Sequence, residues 1–188
     1  MGPGLFPSNW QERENLSVPG IYLRIKQYES DRLVAYVGQS VNLLSRFDQH
    51  LRDMMSLSVT LRDNAGNVVI ERDNSDRLLA YNQIDKIYPL LKAEVSRLNF
   101  VYAKCGDDFP VDYLKLVEAL LKNHLEARVG DKIKTLENRQ NISLGDFPEP
   151  VIIYSEGTSL RDTCAGIVNN LMGGDPIRYS PPDWMADI

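Results

Sequence analysis

The chain has 188 residues, 43% of them hydrophobic and 25% charged, and a formal net charge of −5. That length suits one domain with a core of its own, and the balance of apolar and charged residues excludes a disordered or fibrous chain. The acidity excludes a surface that is a nucleic-acid footprint throughout, but leaves room for a local basic groove.

No apolar run approaches the ~20 residues of a membrane span, and the N-terminus lacks a basic stretch followed by an apolar one. The expectation is a cytoplasmic protein without a membrane partner. Cys105 and Cys164 stand far apart and outside any CxxC or CxxH pattern, so they read as reduced packing cysteines.

Residues 1 to 18 show no clean periodicity and hold two prolines, which predicts an irregular arm. From Gly20 the pattern alternates. Ile21, Leu23 and Ile25 share one side, and Tyr22, Arg24, Lys26 and Tyr28 the other, which predicts a half-buried strand. After the polar turn at 29–32, Leu33, Ala35 and Val37 alternate with Val34, Tyr36 and Gly38, which completes an antiparallel hairpin. If the aliphatic sets face the core, parity places Tyr22 and Tyr36 together on the opposite face.

Ser40 is a candidate N-cap for a helix from about Val41 to about Met54, with Leu43, Leu44, Phe47 and Leu51 as its apolar stripe. Arg46 and His50 are four apart and therefore share one surface of that helix, away from most of the stripe.

Residues 55 to 98 read as an insertion with its own small structure. Two short strands flank Asn64–Asn67, followed by a helix with Ile84, Ile87, Leu91, Val95 and Leu98 at helical spacing and Pro89 as its kink or start. Arg62, Arg72 and Arg77 are either phosphate contacts or, more ordinarily, a solvated face.

Asn99–Cys105 predicts a third strand, and residues 111–130 an amphipathic helix lined by Leu114, Val117, Leu121 and Leu125. Glu118 lies at the edge of that apolar seam. It is either an ordinary boundary glutamate or a carboxylate looking into a cleft, where a hard cation takes oxygen ligands. The tail holds a polar run with Asn138 and Asn141, a candidate strand at 150–156, a short helix at 159–172 and a proline-rich end.

Taken singly, each of these residues has an ordinary structural explanation. Taken jointly, Gly20-Ile21-Tyr22, Tyr36-Val37-Gly38, Arg46 and His50 four apart on the next helix, and Glu118 on a later one resemble the GIY-YIG nuclease superfamily. The segment YVGQSVNLLSRFDQH is especially similar to that family's strand-to-helix passage.

The resemblance implies an α/β (α+β) fold with a three-stranded antiparallel sheet flanked by helices. It implies a single domain whose catalytic core spans about 18–54 and 99–141, with an insertion at about 55–98 and a C-terminal extension at about 142–188. It further implies a DNA endonuclease that hydrolyses phosphodiester bonds with Mg²⁺ or Mn²⁺. Carried onto this chain, Glu118 binds the metal. Tyr22 is the general base or orients the attacking water, and His50 accepts or relays its proton. Arg46 stabilises phosphate charge, and Tyr36 bonds near the nucleophile. Lys26 is a candidate both to lower the Tyr22 pKa and to contact phosphate. The family's asparagine is Asn138 or Asn141, with Asn141 preferred.

Among the family's biologies a restriction-type enzyme is the first expectation, and a structure-specific repair or recombination nuclease the alternative. A non-catalytic DNA-binding module that keeps the fold is the competing class. DNA is the expected partner, and a double-strand cutter with one site per chain calls for a homodimer.

Overall fold

A computed structural model describes residues 10–29, 33–70, 84–106, 109–129, 133–137, 147, 149–153 and 175–181. Strands β1 (Gly20–Gln27) and β2 (Leu33–Ser40) form the expected antiparallel hairpin, with Tyr22 opposite Gly38 and Arg24 opposite Tyr36. The third predicted strand pairs antiparallel on the other edge of β1. It is β5 (Leu98–Lys104), which places Phe100 beside Arg24 and Tyr102 beside Tyr22. A short strand β6 (Ile133–Leu136), not anticipated from sequence, joins β2 in parallel and gives the order β5-β1-β2-β6.

The chain is thus mixed α/β, with a three-stranded antiparallel sheet at its centre. Helix α1 spans Trp10–Leu16, α2 Leu43–Met55, α3 Ile84–Arg97 and α4 Tyr113–Glu126. No helix among the described residues is long and apolar enough to cross a membrane.

The strand parity holds, but the expectation of a half-buried strand does not. Ile21, Leu23, Ile25, Leu33, Ala35 and Val37 pack with Leu114, Val117, Leu121 and Leu125 of α4 on one face. On the other face Tyr22 packs with Leu43 and Phe47 of α2 and with Leu16 of α1. β1 is central and covered on both sides, so its alternation separates aliphatic from aromatic and charged residues, all but Gln27 being buried or nearly so. A polar side chain on such a strand must find a partner, because burial without one costs free energy comparable to a lost hydrogen bond or more.

Two local expectations change for similar reasons. Residues 10–16 form a helix rather than part of an irregular arm, because Leu16 can bury itself beside Tyr22. The N-cap of α2 is Asn42, not Ser40: the Asn42 side-chain oxygen accepts from the Ser45 N–H at 2.9 Å. Ser40 Oγ instead accepts from the Asn42 N–H at 3.1 Å.

Within the insertion, β3 (Leu61–Arg62) and β4 (Val68–Ile70) form the expected hairpin. Its turn brings Gly66, at φ +80°, against the ring of Tyr28, where a Cβ would be 3.1 Å from the ring. Helix α3 contains Pro89 internally, at the loss of one i→i−4 bond. Ile87, Leu57, Val59 and Leu61 share a cluster with Met54 of α2 and Leu98 of β5, so the insertion packs into the body of the fold.

The C-terminal extension contributes β7 (Val151–Ile153), within the predicted segment, paired antiparallel to β8 (Ile177–Tyr179). Tyr179 packs against Leu116 and Leu120, the second apolar side of α4. The helix expected at 159–172 lies outside the described residues, as do Arg72, Arg77 and Cys164. Cys105 is a free thiol packed partly buried against the α4 cluster.

Candidate active site

The close approach of β1 and β2 sets the site's first coordinate. The Tyr22 ring lies over Gly38, and a Cβ at position 38 would run into the ring carbons and hydroxyl. Only glycine lets the ring settle there, edge-on to Phe47 at 5.7 Å and to Phe100 at 6.2 Å between ring centroids. Helix α2 follows directly and delivers Arg46 and His50 to the same place.

His50 differs from its expected position. It lies on the buried stripe of α2 with Leu43, Phe47 and Met54 and is 5% exposed, while Arg46 flanks that stripe half-buried. The two still converge, because the Tyr22 hydroxyl lies between them. His50 Nε2 is 2.7 Å from that oxygen, and Arg46 Nε donates to it at 3.0 Å. Arg46 also donates to Gln49 Oε1 at 2.6 Å and to the Tyr36 hydroxyl at 3.5 Å, the longest of its bonds. The Tyr22 and Tyr36 ring centroids are 6.1 Å apart.

Tyr22 is only 1% exposed. Burial, reinforced by neighbouring Tyr36, pushes its hydroxyl well above the usual phenol range, and Arg46 and Arg24 offset only part of this. As folded, Tyr22 is a neutral phenol within a hydrogen-bonded group.

Glu118 arrives from α4, on the opposite face of the sheet. Its carboxyl nevertheless lies in the field of Arg46, so the two are within electrostatic reach. Burial raises the Glu118 pKa to about 7, against the downward pull of Arg46 and Lys122. Among the described residues it makes no hydrogen bond or ion pair. Nor do the described residues contain a group of three or more His, Cys, Asp and Glu side chains able to hold a metal.

Lys26 sits elsewhere. It is 2% exposed, and its Nζ donates to Glu94 Oε2 of α3 at 2.6 Å, so its charge is committed inside the fold. Tyr28 donates to the other oxygen of Glu94 at 2.8 Å. Arg62 is not part of a solvated face. It is 6% exposed, 3.7 Å from Glu137 and bonded to the Gly66 carbonyl at 3.3 Å. Asn138 and Asn141 lie outside the described residues.

Sequence reasoning missed Arg24 and Glu137. Arg24 bonds His50 Nδ1 at 3.0 Å and Glu137 Oε2 at 2.7 Å, with its guanidinium 4.9 Å from the centroid of the Tyr36 ring. A signal for Arg24 existed, since strand parity puts it on the Tyr22 side, two residues along. None existed for Glu137, which reaches the site through a parallel pairing more than 90 residues distant.

Comparison with family models, with curated proteins and with solved structures finds no match for this chain.

Proposed function

We propose that the chain is a divalent-metal-dependent DNA endonuclease with a GIY-YIG-like core, restriction-type in the first instance, that hydrolyses phosphodiester bonds. The observation that carries the reading is the convergence of Tyr22, Tyr36, Arg46 and His50 in one hydrogen-bonded group, with Glu118 of another helix held in the field of Arg46. A fold needing only stability would pair such a carboxylate or place it in solvent.

Arg46 is suited to phosphate. Its guanidinium stays charged at all working pH, and its long bond to Tyr36 is the one most readily exchanged for a phosphate oxygen. Tyr36, half-buried beside it, would then be free to donate to the same group. Tyr22 orients the attacking water rather than acting as a ready base, because a buried neutral phenol gives up its proton only when further positive charge arrives.

Glu118 fits a divalent cation through its chemistry: a carboxyl with no hydrogen bond or ion pair among the described residues, its pKa raised to about 7, gains a charge to bond when a cation binds. Mg²⁺ is commonly held by one or two carboxylates, with substrate phosphate and water completing its shell. When bound it would supply positive charge to the phosphate oxygens.

The test is incubation of supercoiled plasmid with the protein and Mg²⁺ or Mn²⁺. Nicking or cutting that Glu118→Ala abolishes supports the reading; no cleavage of varied DNAs, branched substrates included, sinks it.

The near-complete burial of Tyr22 favours one other reading, a DNA-binding module in which the cluster is purely structural. In that case DNA affinity survives with no turnover, and metal has no effect that depends on Glu118.

A further inference from the structure

His50 has a definite neighbour on each ring nitrogen, and the chemistry of those neighbours decides where its proton sits. A guanidinium carries five N–H donors and no acceptor. Arg24 Nη1 lies 3.0 Å from His50 Nδ1, so that nitrogen must be the acceptor. In a neutral imidazole the proton then belongs on Nε2, which faces the Tyr22 oxygen at 2.7 Å.

Arg46 Nε donates to the same oxygen at 3.0 Å. Two donors occupy both lone pairs of the Tyr22 hydroxyl and turn its own O–H toward a third direction. An imidazole already protonated at Nε2 cannot receive the Tyr22 proton there.

Arg24 is itself held on two further sides, by Glu137 Oε2 at 2.7 Å and by the face of the Tyr36 ring. We infer that Arg24, braced by Glu137 and Tyr36, is a positioning residue that fixes His50 as an Nε2–H donor to Tyr22. His50 therefore holds and polarises Tyr22 and is not its proton acceptor. The consequence for turnover rests on the nuclease reading, but the tautomer does not.

The measurement is a long-range ¹H–¹⁵N correlation spectrum of the imidazoles of ¹⁵N-labelled full-length protein at neutral pH, without metal or DNA. The chain has two histidines, so His50→Gln assigns the signals by subtraction. The expected pattern for His50 is an imine-type Nδ1 and a pyrrole-type Nε2. Arg24→Lys, also donor-only, should keep that pattern, whereas Arg24→Met should give shifts averaged between tautomers.

A wild-type spectrum showing a protonated Nδ1 or averaged shifts would overturn the inference. So would an Arg24→Met spectrum identical to wild type. If Arg24→Met fails to fold, the wild-type and Arg24→Lys spectra still decide. Because no activity is read, failure of the nuclease reading leaves this result intact.

Discussion

Two polar clusters hang from the same side of β1, a few residues apart, and they are built on opposite principles. Around Lys26 and Tyr28, Glu94 receives a bond on each carboxylate oxygen, and all three side chains are buried. Around Tyr22, Glu137 is tied to Arg24, but Arg46 is only half-buried and joined to Tyr36 by a long bond, and the Glu118 carboxyl makes no hydrogen bond or ion pair among the described residues. The first cluster ties its carboxylate up inside the fold, with Arg97 adding an ion pair to Glu94 at 3.7 Å. The second keeps the half-buried Arg46 and the Glu118 carboxyl in each other's field without a hydrogen bond between them, and the proposed function assigns metal and phosphate to that place. Under the proposed reading, buried charge alone does not mark a functional site; a half-buried cation beside a carboxyl that makes no hydrogen bond to it does.

Breaking the matched cluster should give the largest effect, and on stability alone. Glu94→Ala leaves a buried Lys26 ammonium and the Tyr28 hydroxyl without their partner, a loss of about 3–5 kcal/mol. Urea denaturation measures it. A loss under 1 kcal/mol would mean that the cluster is not the structural unit described.

Breaking the open cluster should spare stability and remove function. Arg46→Ala is expected to lower cleavage roughly 10²–10³-fold, the scale for losing one pre-positioned charged donor. Its urea midpoint should stay close to that of wild type. Initial rates on plasmid, with the midpoint measured in parallel, separate this from simple unfolding.

Gly38→Ala should damage both. The added methyl group meets the Tyr22 ring, and overpacking of this kind costs about 1–3 kcal/mol. Displacing Tyr22 would also cost activity beyond what the fraction unfolded explains. A variant with wild-type stability would show that the Tyr22 ring can move at little cost.

The smallest effect sharpens the contrast through pH. The Glu118 carboxyl titrates near 7 in the folded chain, above its ordinary 4.5. The folded state therefore binds the proton more tightly, and stability falls as pH rises from about 4.5 through about 7. Glu118→Gln removes that penalty and should be more stable than wild type at pH 8, by about 1 kcal/mol after allowing for partial exposure, while matching it at pH 4.5. Glu137 runs the other way. Burial would raise its pKa, but Lys26, Arg24 and Arg62 together hold it below the ordinary carboxylate range. Its contribution is present above that range and is lost as the pH falls through the lowered value. Melting curves across pH for Glu118→Gln and Glu137→Gln should therefore part from wild type in opposite directions at pH 8, the first upward and the second downward, and both should approach it as the pH falls.

The local part of the site was legible in the sequence, because the rules that build it are local. The two-residue period of a strand put Tyr22 and Tyr36 on one face, and the four-residue spacing of a helix put Arg46 and His50 near each other. What escaped was set by distant partners. Glu94 reads as one more polar position of a helix until α3 is laid across Lys26, and Glu137 reads as part of a polar run until β6 pairs with β2. The same limit explains β1. Alternation in sequence reports two chemically different faces, and only the packing of α2 on the second face shows that both are buried.

The most direct test of the open cluster is to map DNA ends released from a random-sequence duplex pool, comparing wild type with Glu118→Gln at matched folded concentration, with and without Mg²⁺. The account predicts new ends with wild type only when Mg²⁺ is present, and none with Glu118→Gln. Ends released equally by both proteins, or by neither, would contradict it.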